Sequence, residues 1–220
     1  MNGRKIVRIL SPLMVHFGIT LAVAFLGSYL YLMLGPEAAL AADTTFLTTV
    51  ASLCCIPALL SMWKRDHELR DSMVEVTKRP WWFYSFALLS GAAVSVGMSA
   101  VMNMARITDL FSNQVQEELL SSNILIQGVG LCFIIPAVEE LVFRGLFYQR
   151  LKEYFTRFPA MLLVSLVFAL YHGNPVQMIY AFPLGLIMVW FYEECGSLRA
   201  PLLFHIGANL ISVILEYLAG

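Results

Sequence analysis

Long apolar blocks are the feature of this sequence that most restricts its fold. Of the 220 residues, 59% are hydrophobic and only 13% are charged, whereas about 25% of the residues in a soluble domain are charged. The apolar residues fall in blocks near the roughly 20 residues that a helix needs to cross a bilayer. Backbone polar groups inside a bilayer must be satisfied within the protein, which continuous helices achieve. The composition therefore predicts an all-α, polytopic helical membrane protein.

About seven transmembrane helices can be drawn along the chain. We predict them at about residues 9–34, 45–63, 81–103, 123–151, 159–172, 176–192 and 201–218. With the N-terminus in the cytoplasm, 13 of the 14 Lys and Arg residues lie on or nearest the cytoplasmic side, and only Arg106 falls opposite. Positive charge is enriched on the cytoplasmic side of membrane proteins. The stretches 64–80 and 152–158 are therefore predicted to be cytoplasmic, and 106–122 to hold a helix at the membrane surface.

Charge and cysteine placement argue against two other classes of protein. The most charged stretch, 64–80, mixes both signs and indicates a solvated loop or surface helix, and no basic stripe suited to nucleic acid is present. The four cysteines show neither paired spacing nor a C-x-x-C pattern, which excludes a disulfide framework. We expect them to be small buried apolar residues. They are Cys54, Cys55, Cys132 and Cys195.

Three charged residues lie inside the otherwise apolar stretch 124–147 of the fourth segment. Glu139, Glu140 and Arg144 fall within six residues, and a charge at mid-membrane costs about 2.5 to 3.5 kcal/mol on insertion scales. Glu140 and Arg144 are four residues apart on one helix face, with the glutamate first, which favours an ion pair. Glu139 is rotated by about 100° from Glu140 and has no such partner in its own helix. It therefore needs a partner from elsewhere in the fold.

Two later segments carry polar residues that could supply that partner. Phe168 and His172 are four residues apart, as are His205 and Asn209. Counted along the helices, both histidines and Glu139 could meet in one cavity between mid-bilayer and the inner face. Each group alone would suit packing or an interhelical hydrogen bond. Their occurrence on three helices favours a functional site.

The two remaining histidines are not included in this site. His16 lies in the first apolar segment and His67 in the charged stretch. Each stands without a polar partner pattern like those of the later segments, so we expect neither to take part.

Three motifs in this order resemble the CPBP family of membrane proteins. They are Glu139-Glu140-x-x-x-Arg144, Phe168-x-x-x-His172 and His205-x-x-x-Asn209. The family comprises CAAX proteases and bacteriocin-processing proteins, is also called Abi, and includes the Rce1-like type II prenyl endopeptidases. The resemblance covers about residues 123–218. It implies a catalytic core at 122–220, preceded at 1–121 by transmembrane helices with a charged cytoplasmic loop.

The resemblance also implies an activity and a role for each residue. The expected activity is that of an intramembrane endopeptidase whose cavity opens to the cytoplasm. Glu139 and His172 would activate a water molecule, and His205 and Asn209 would stabilise the oxyanion. Glu140 and Arg144 would form a supporting ion pair. A buried carboxylate suits a general base, and an imidazole and an amide suit oxyanion donors.

The sequence leaves the metal open. We expect no cofactor, but Glu139, His172 and His205 would also suit a zinc site with one carboxylate, two histidines and an open position. No H-E-x-x-H motif is present to favour zinc.

The substrate and the class of function also have alternatives. Short loops and the absence of an N-x-S/T sequon favour a prokaryotic plasma membrane. The expected partners are the lipid bilayer and a peptide or membrane-anchored protein substrate, with no nucleic acid. The alternatives to an enzyme are an immunity or scaffold protein with the same fold, or a proton-linked transporter.

Overall fold

A computed structural model describes residues 3–69, 77–112 and 114–219, and this part of the chain contains helices and no strands. Seven long helices run in sequence order. They are α1 (Gly3–Leu34), α2 (Thr44–Leu69), α3 (Trp81–Met104), α4 (Ile124–Leu151), α5 (Arg157–Tyr171), α6 (Pro175–Cys195) and α7 (Arg199–Ala219). The predicted all-α fold of an integral membrane protein is confirmed.

The fifth helix is shorter than a full membrane span. Six of the described helices are long and apolar enough to cross a membrane, whereas α5 has only 15 residues. Its length of about 22 Å falls short of a hydrocarbon core of about 30 Å. Beyond its end, Asn174 Nδ2 donates a hydrogen bond of 3.1 Å to the carbonyl of Ser112. The connection after α3 therefore meets the end of this short helix.

That connection contains two short helices instead of the single surface helix that we predicted. They span Ile107–Leu110 and Gln114–Leu120. Arg106, with φ of 54°, turns the backbone into the left-handed region before the first of them. The second ends against α2, where the Thr45 hydroxyl donates to the Leu119 carbonyl at 2.6 Å. These contacts fold the connection back onto the bundle.

Charged residues near the helix ends are paired, and this moves two helix boundaries. α1 begins at Gly3 and not near Ile9, and α2 continues to Leu69 instead of ending at Trp63. Arg150 Nε lies 2.6 Å from Asp66 Oδ2, and both side chains are almost completely buried. Because these charges are paired between helices, the helices can continue through the residues that carry them. Residues 70–76 of the predicted charged loop lie outside the described residues.

The cysteines are free, and three of the four are buried as predicted. Cys54 is the exception, because it faces outward from α2 while its neighbour Cys55 faces the core. Adjacent residues on a helix point about 100° apart, so both could not be buried on a one-sided face.

Two glycines let α3 and α7 touch along their backbones. A Cβ added at Gly91 would collide with the carbonyl oxygen of Phe204, and one added at Gly207 would collide with that of Leu88. Only glycine permits such an approach. The contact fixes the part of α7 between Phe204 and Gly207, which carries His205.

The helix α4 is interrupted by wider turns around its glutamates. π-helical segments at Gln127–Ile134 and Leu141–Tyr148 flank an α-helical segment at Ile135–Glu140. π-helical turns are rare and often mark functional sites. Glu139 and Glu140 therefore lie at the boundary where the helix widens.

Candidate active site

Glu140 and Arg144 form a completely buried ion pair on α4. Arg144 Nη1 lies 2.8 Å from Glu140 Oε1, and both side chains have no solvent exposure. Arg144 Nη2 also donates to the carbonyl of Gly185 on α6 at 3.3 Å, and the guanidinium lies 4.5 Å from the ring centroid of Phe168 on α5. A buried charge requires such compensation. The pair therefore joins three helices around the site.

His205 on α7 lies between the two glutamates. Its Nδ1 is 2.9 Å from Glu140 Oε1, and its Nε2 is 3.6 Å from Glu139 Oε2. Because a carboxylate paired with arginine accepts hydrogen bonds, Nδ1 carries a hydrogen here. Nε2 is then the ring nitrogen of His205 that can interact with Glu139. Glu139 is 16% exposed, so it is the more accessible of the two carboxylates.

His172 and Asn209 line one small cavity together with His205. The cavity has a volume of about 40 Å³, enough for a water molecule. Apolar side chains and a tyrosine complete its wall, namely Phe168, Tyr180, Ala181, Leu184, Met188 and Phe204. Polar groups of three residues thus meet in an otherwise apolar cavity inside a membrane bundle.

The hydrogen bonds of these two residues define their free atoms. His172 Nδ1 is 2.8 Å from the carbonyl of Phe168, which can only accept, so Nδ1 carries the hydrogen. Nε2 of a neutral His172 is then an acceptor. Asn209 Nδ2 donates to the Leu131 carbonyl at 2.8 Å and keeps its second hydrogen. His172 can therefore accept from a water molecule, while Asn209 can donate to an oxyanion.

The structure brings most of the predicted residues together, with one difference in pairing. The histidine beside Glu139 is His205, and within the described ranges no ion pair joins Glu139 to His172. His172 follows the last residue of α5, where its ring turns back to its own helix at Phe168. Single-helix spacing does not show which of two histidines comes closer. The catalytic roles remain predictions.

The alternative zinc ligands are not gathered around one point. Among the residues that the structure describes, no group of three or more His, Cys, Asp or Glu side chains could hold a metal ion. A zinc site with two histidines and a carboxylate would need all three ligands within about 2.2 Å of the ion. Glu139, His172 and His205 do not fit this arrangement.

His16, which we did not include in the predicted site, has a hydrogen-bond partner in the structure. His16 on α1 is 5% exposed, and its Nδ1 is 2.6 Å from the hydroxyl of Tyr171 at the end of α5. The sequence showed no polar partner pattern for His16, because the partner comes from another helix and leaves no spacing pattern. A signal existed, since a histidine inside an apolar helix needs a partner.

Sequence reasoning also missed a chain of hydroxyl groups behind the cavity. Tyr180 donates to Ser95 Oγ on α3 at 2.7 Å, and Ser95 Oγ is 3.3 Å from Ser212 Oγ on α7. These contacts tie the cavity tyrosine to two further helices. No motif in the sequence links the three residues.

Comparison with known proteins identifies part of this chain. Residues 121–211 match the family described as type II CAAX prenyl endopeptidase, Rce1-like. The match confirms the resemblance drawn from the motifs and includes all six predicted site residues. It covers less than half of the chain and leaves out α1, α2 and α3. No curated protein and no solved structure matches the chain.

Proposed function

We propose that this chain is an intramembrane endopeptidase, because residues 121–211 match the Rce1-like type II CAAX prenyl endopeptidase family, which is a family of proteases. Its substrate is a peptide or a membrane-anchored protein. The observation that carries the proposal is the placement of Glu139. This carboxylate is partly exposed and lies 3.6 Å from a histidine of the cavity wall, whereas the arginine of its own helix is paired with Glu140.

In the proposed reaction Glu139 acts as the general base. Glu139 takes a proton from a water molecule that His172 Nε2 also holds, and the water oxygen attacks the carbonyl carbon of the scissile peptide bond. A base held within hydrogen-bond reach of its proton is the requirement for this step. The free hydrogen of Asn209 then donates to the oxyanion that forms.

His205 stabilises the charge and returns the proton. The proton on Glu139 passes to Nε2 of His205, whose Nδ1–H is held by Glu140. The resulting imidazolium lies between two carboxylates, much as in a Ser-His-Asp triad. From there it stabilises the oxyanion, as the resemblance implies, and protonates the amine as the peptide bond breaks. One water is consumed and one peptide bond is broken.

The test compares membrane peptides from cells with the parent chain and with Glu139→Gln. We expect peptides with new termini only with the parent chain, at equal abundance of the two proteins. His67→Gln, a change in an exposed histidine of α2, serves as the control and should leave the products unchanged.

Other outcomes would identify the alternatives. A scaffold or immunity protein would keep its cellular effect in Glu139→Gln, and no product would appear with either chain. A proton-linked transporter would show solute flux in proteoliposomes without any cleaved peptide. Either result would overturn the proposal.

A further inference from the structure

A buried histidine of α1 lies outside the region that matches the protease family. His16 is on the face of α1 that also buries Ile9, Pro12 and Leu13. It lies about 20 Å along the helix from Gly3, well inside the apolar span. A polar ring at this depth is costly unless it is paired. Its position therefore calls for a contact within the bundle.

The contact that the structure provides is with the last residue of α5. His16 Nδ1 lies 2.6 Å from the Tyr171 hydroxyl. The Tyr171 ring also packs edge-on against Phe143 of α4, with centroids 5.4 Å apart. Tyr171 is thus held by a hydrogen bond from α1 and by an aromatic contact from α4.

The end of α5 has a particular need for such contacts. The last turn of a helix lacks intrahelical partners for its carbonyls and frays most easily. α5 is short, and Gly173, with φ of 68°, reverses the chain two residues after Tyr171. On the far side of this turn, Asn174 is bonded to Ser112. His16 and Asn174 therefore hold the turn from its two sides.

Between these two contacts lies His172. It directly follows Tyr171, and its ring borders the cavity shared with His205 and Asn209. The carboxylate of Glu139 is also close enough to act electrostatically on both His16 and Tyr171. A shift of Tyr171 would move the backbone of His172 and the surroundings of Glu139 together.

We propose that His16 is a positioning residue of the active site, which holds Tyr171 through Nδ1 and thereby fixes His172 beside the cavity. The N-terminal helix α1 then completes a site whose other members lie at 121–211. This inference rests on the proposed function for its catalytic part. The anchoring of α5 by His16 is independent of it.

The first experiment measures the anchor without any substrate. Amide hydrogen exchange of residues 169–173 is followed by mass spectrometry in the purified chain. We expect exchange about five- to tenfold faster in His16→Leu and in Tyr171→Phe, because one hydrogen bond at a helix end is lost. His16→Asn, whose amide takes the place of Nδ1, should exchange like the parent.

Two comparisons make this experiment decisive. Leu13→Ala removes buried packing from the same face of α1 without touching the hydrogen bond, and should leave the exchange of 169–173 unchanged. The double variant His16→Leu with Tyr171→Phe should exchange no faster than either single variant. Exchange equal to that of the parent in His16→Leu would overturn the anchor. The anchor through Nδ1 would also be overturned if His16→Gln, whose amide takes the place of Nε2, restored the exchange rate of the parent and His16→Asn did not.

The second experiment measures cleavage of a substrate peptide, namely one whose products appear only with the parent chain. His16→Leu should lower kcat by about tenfold or more with KM within about twofold, because a misplaced catalytic group affects the chemical step. His16→Asn should restore kcat. An unchanged kcat in His16→Leu, with faster exchange at 169–173, would overturn the positioning role. Absence of cleavage by the parent chain would overturn the proposed function, and the exchange rates would still decide the anchor.

Discussion

The two adjacent glutamates of α4 have different surroundings and are suited to different tasks. Glu140 is completely buried and shares one carboxylate oxygen between Arg144 and His205. Glu139 is partly exposed, and Nε2 of His205 lies 3.6 Å from its carboxylate. A carboxylate held by an arginine and a histidine is fixed in place, whereas a partly exposed carboxylate can be reached by water. This difference supports the proposal that Glu140 orients the site and that Glu139 acts as the base.

The buried ion pair leads to the first prediction. Arg144→Ala should lower the free energy of unfolding by about 3 to 5 kcal/mol, because Glu140 would remain buried and charged without its partner. Thermal unfolding of the purified chain in detergent, together with membrane yield, measures this effect. Adding Glu140→Gln to Arg144→Ala removes the stranded charge and should recover part of the loss. Equal stability of the parent, the single and the double variant would contradict the ion-pair interpretation.

The amide of Asn209 leads to the second prediction. Asn209→Ala should lower kcat by roughly 10²–10³, the usual cost of one oxyanion donor. The lost hydrogen bond to Leu131 should reduce the free energy of unfolding by only about 1 kcal/mol. Glu139→Gln and His172→Ala should each abolish cleavage while the protein stays folded. A rate loss in Asn209→Ala no larger than its loss of folded protein would assign the residue to helix packing.

The third prediction concerns the dependence of cleavage on a metal ion. The proposed reaction uses only side chains, so a strong chelator should leave the rate unchanged. The metal content of the purified active chain is measured alongside. Stoichiometric zinc that is lost together with activity in both His172→Ala and His205→Ala would overturn the metal-free reaction.

Among the helices, α3 and α7 approach each other backbone to backbone. Gly91 and Gly207 face the backbone carbonyls of Phe204 and Leu88, respectively. His205 follows directly after Phe204, so the position of its backbone depends on this crossing. A helix outside the family-matched region thereby sets the depth of a predicted catalytic residue.

The fourth prediction tests this crossing with a matched pair of alanine substitutions. Gly91→Ala should destabilise the chain by about 1 to 3 kcal/mol or more, because the added methyl collides with rigid backbone. Gly97→Ala on the same helix has open space around its Cβ and should be neutral or stabilising by up to about 1 kcal/mol. Thermal unfolding of both variants in detergent measures the difference. Equal effects of the two substitutions would contradict the close contact.

The sequence predicted the helices well because burial in a bilayer leaves long apolar blocks, but it predicted their ends less well. Asp66 and Arg8 looked like the charged flanks of helices, whereas they are paired with each other at 3.4 Å across α1 and α2. The Glu140–Arg144 contact could be expected because it lies within one helix. The contact of His16 with Tyr171 could not, and neither could the choice of His205 over His172 as the partner of Glu139, since each depends on how separate helices pack.

In the whole molecule, ion pairs hold the ends of several helices together at one end of the bundle. Arg79 contacts Glu194 at 2.8 Å, and Lys152 contacts Glu193 at 2.6 Å. The backbone N–H of Thr77 also donates to the Cys195 carbonyl at 3.2 Å. The segment before α3, the turn after α4 and the turn after α6 therefore share one end. At the other end, the Ser122 hydroxyl donates to Asp43 Oδ2 at 2.7 Å.

The last prediction concerns which of these ends faces the cytoplasm. Single cysteines at the exposed positions Lys78, Tyr154 and Glu37 are placed in a chain without its native cysteines. A membrane-impermeant maleimide should label Glu37→Cys in intact cells, and Lys78→Cys and Tyr154→Cys only after the cells are opened, because Lys and Arg concentrate at that end. Labelling of Lys78→Cys and Tyr154→Cys from outside, with Glu37→Cys protected, would reverse the orientation and leave the fold intact. Opposite labelling of Lys78→Cys and Tyr154→Cys would contradict the fold itself, because the ion pairs to Glu193 and Glu194 place both positions at the same end.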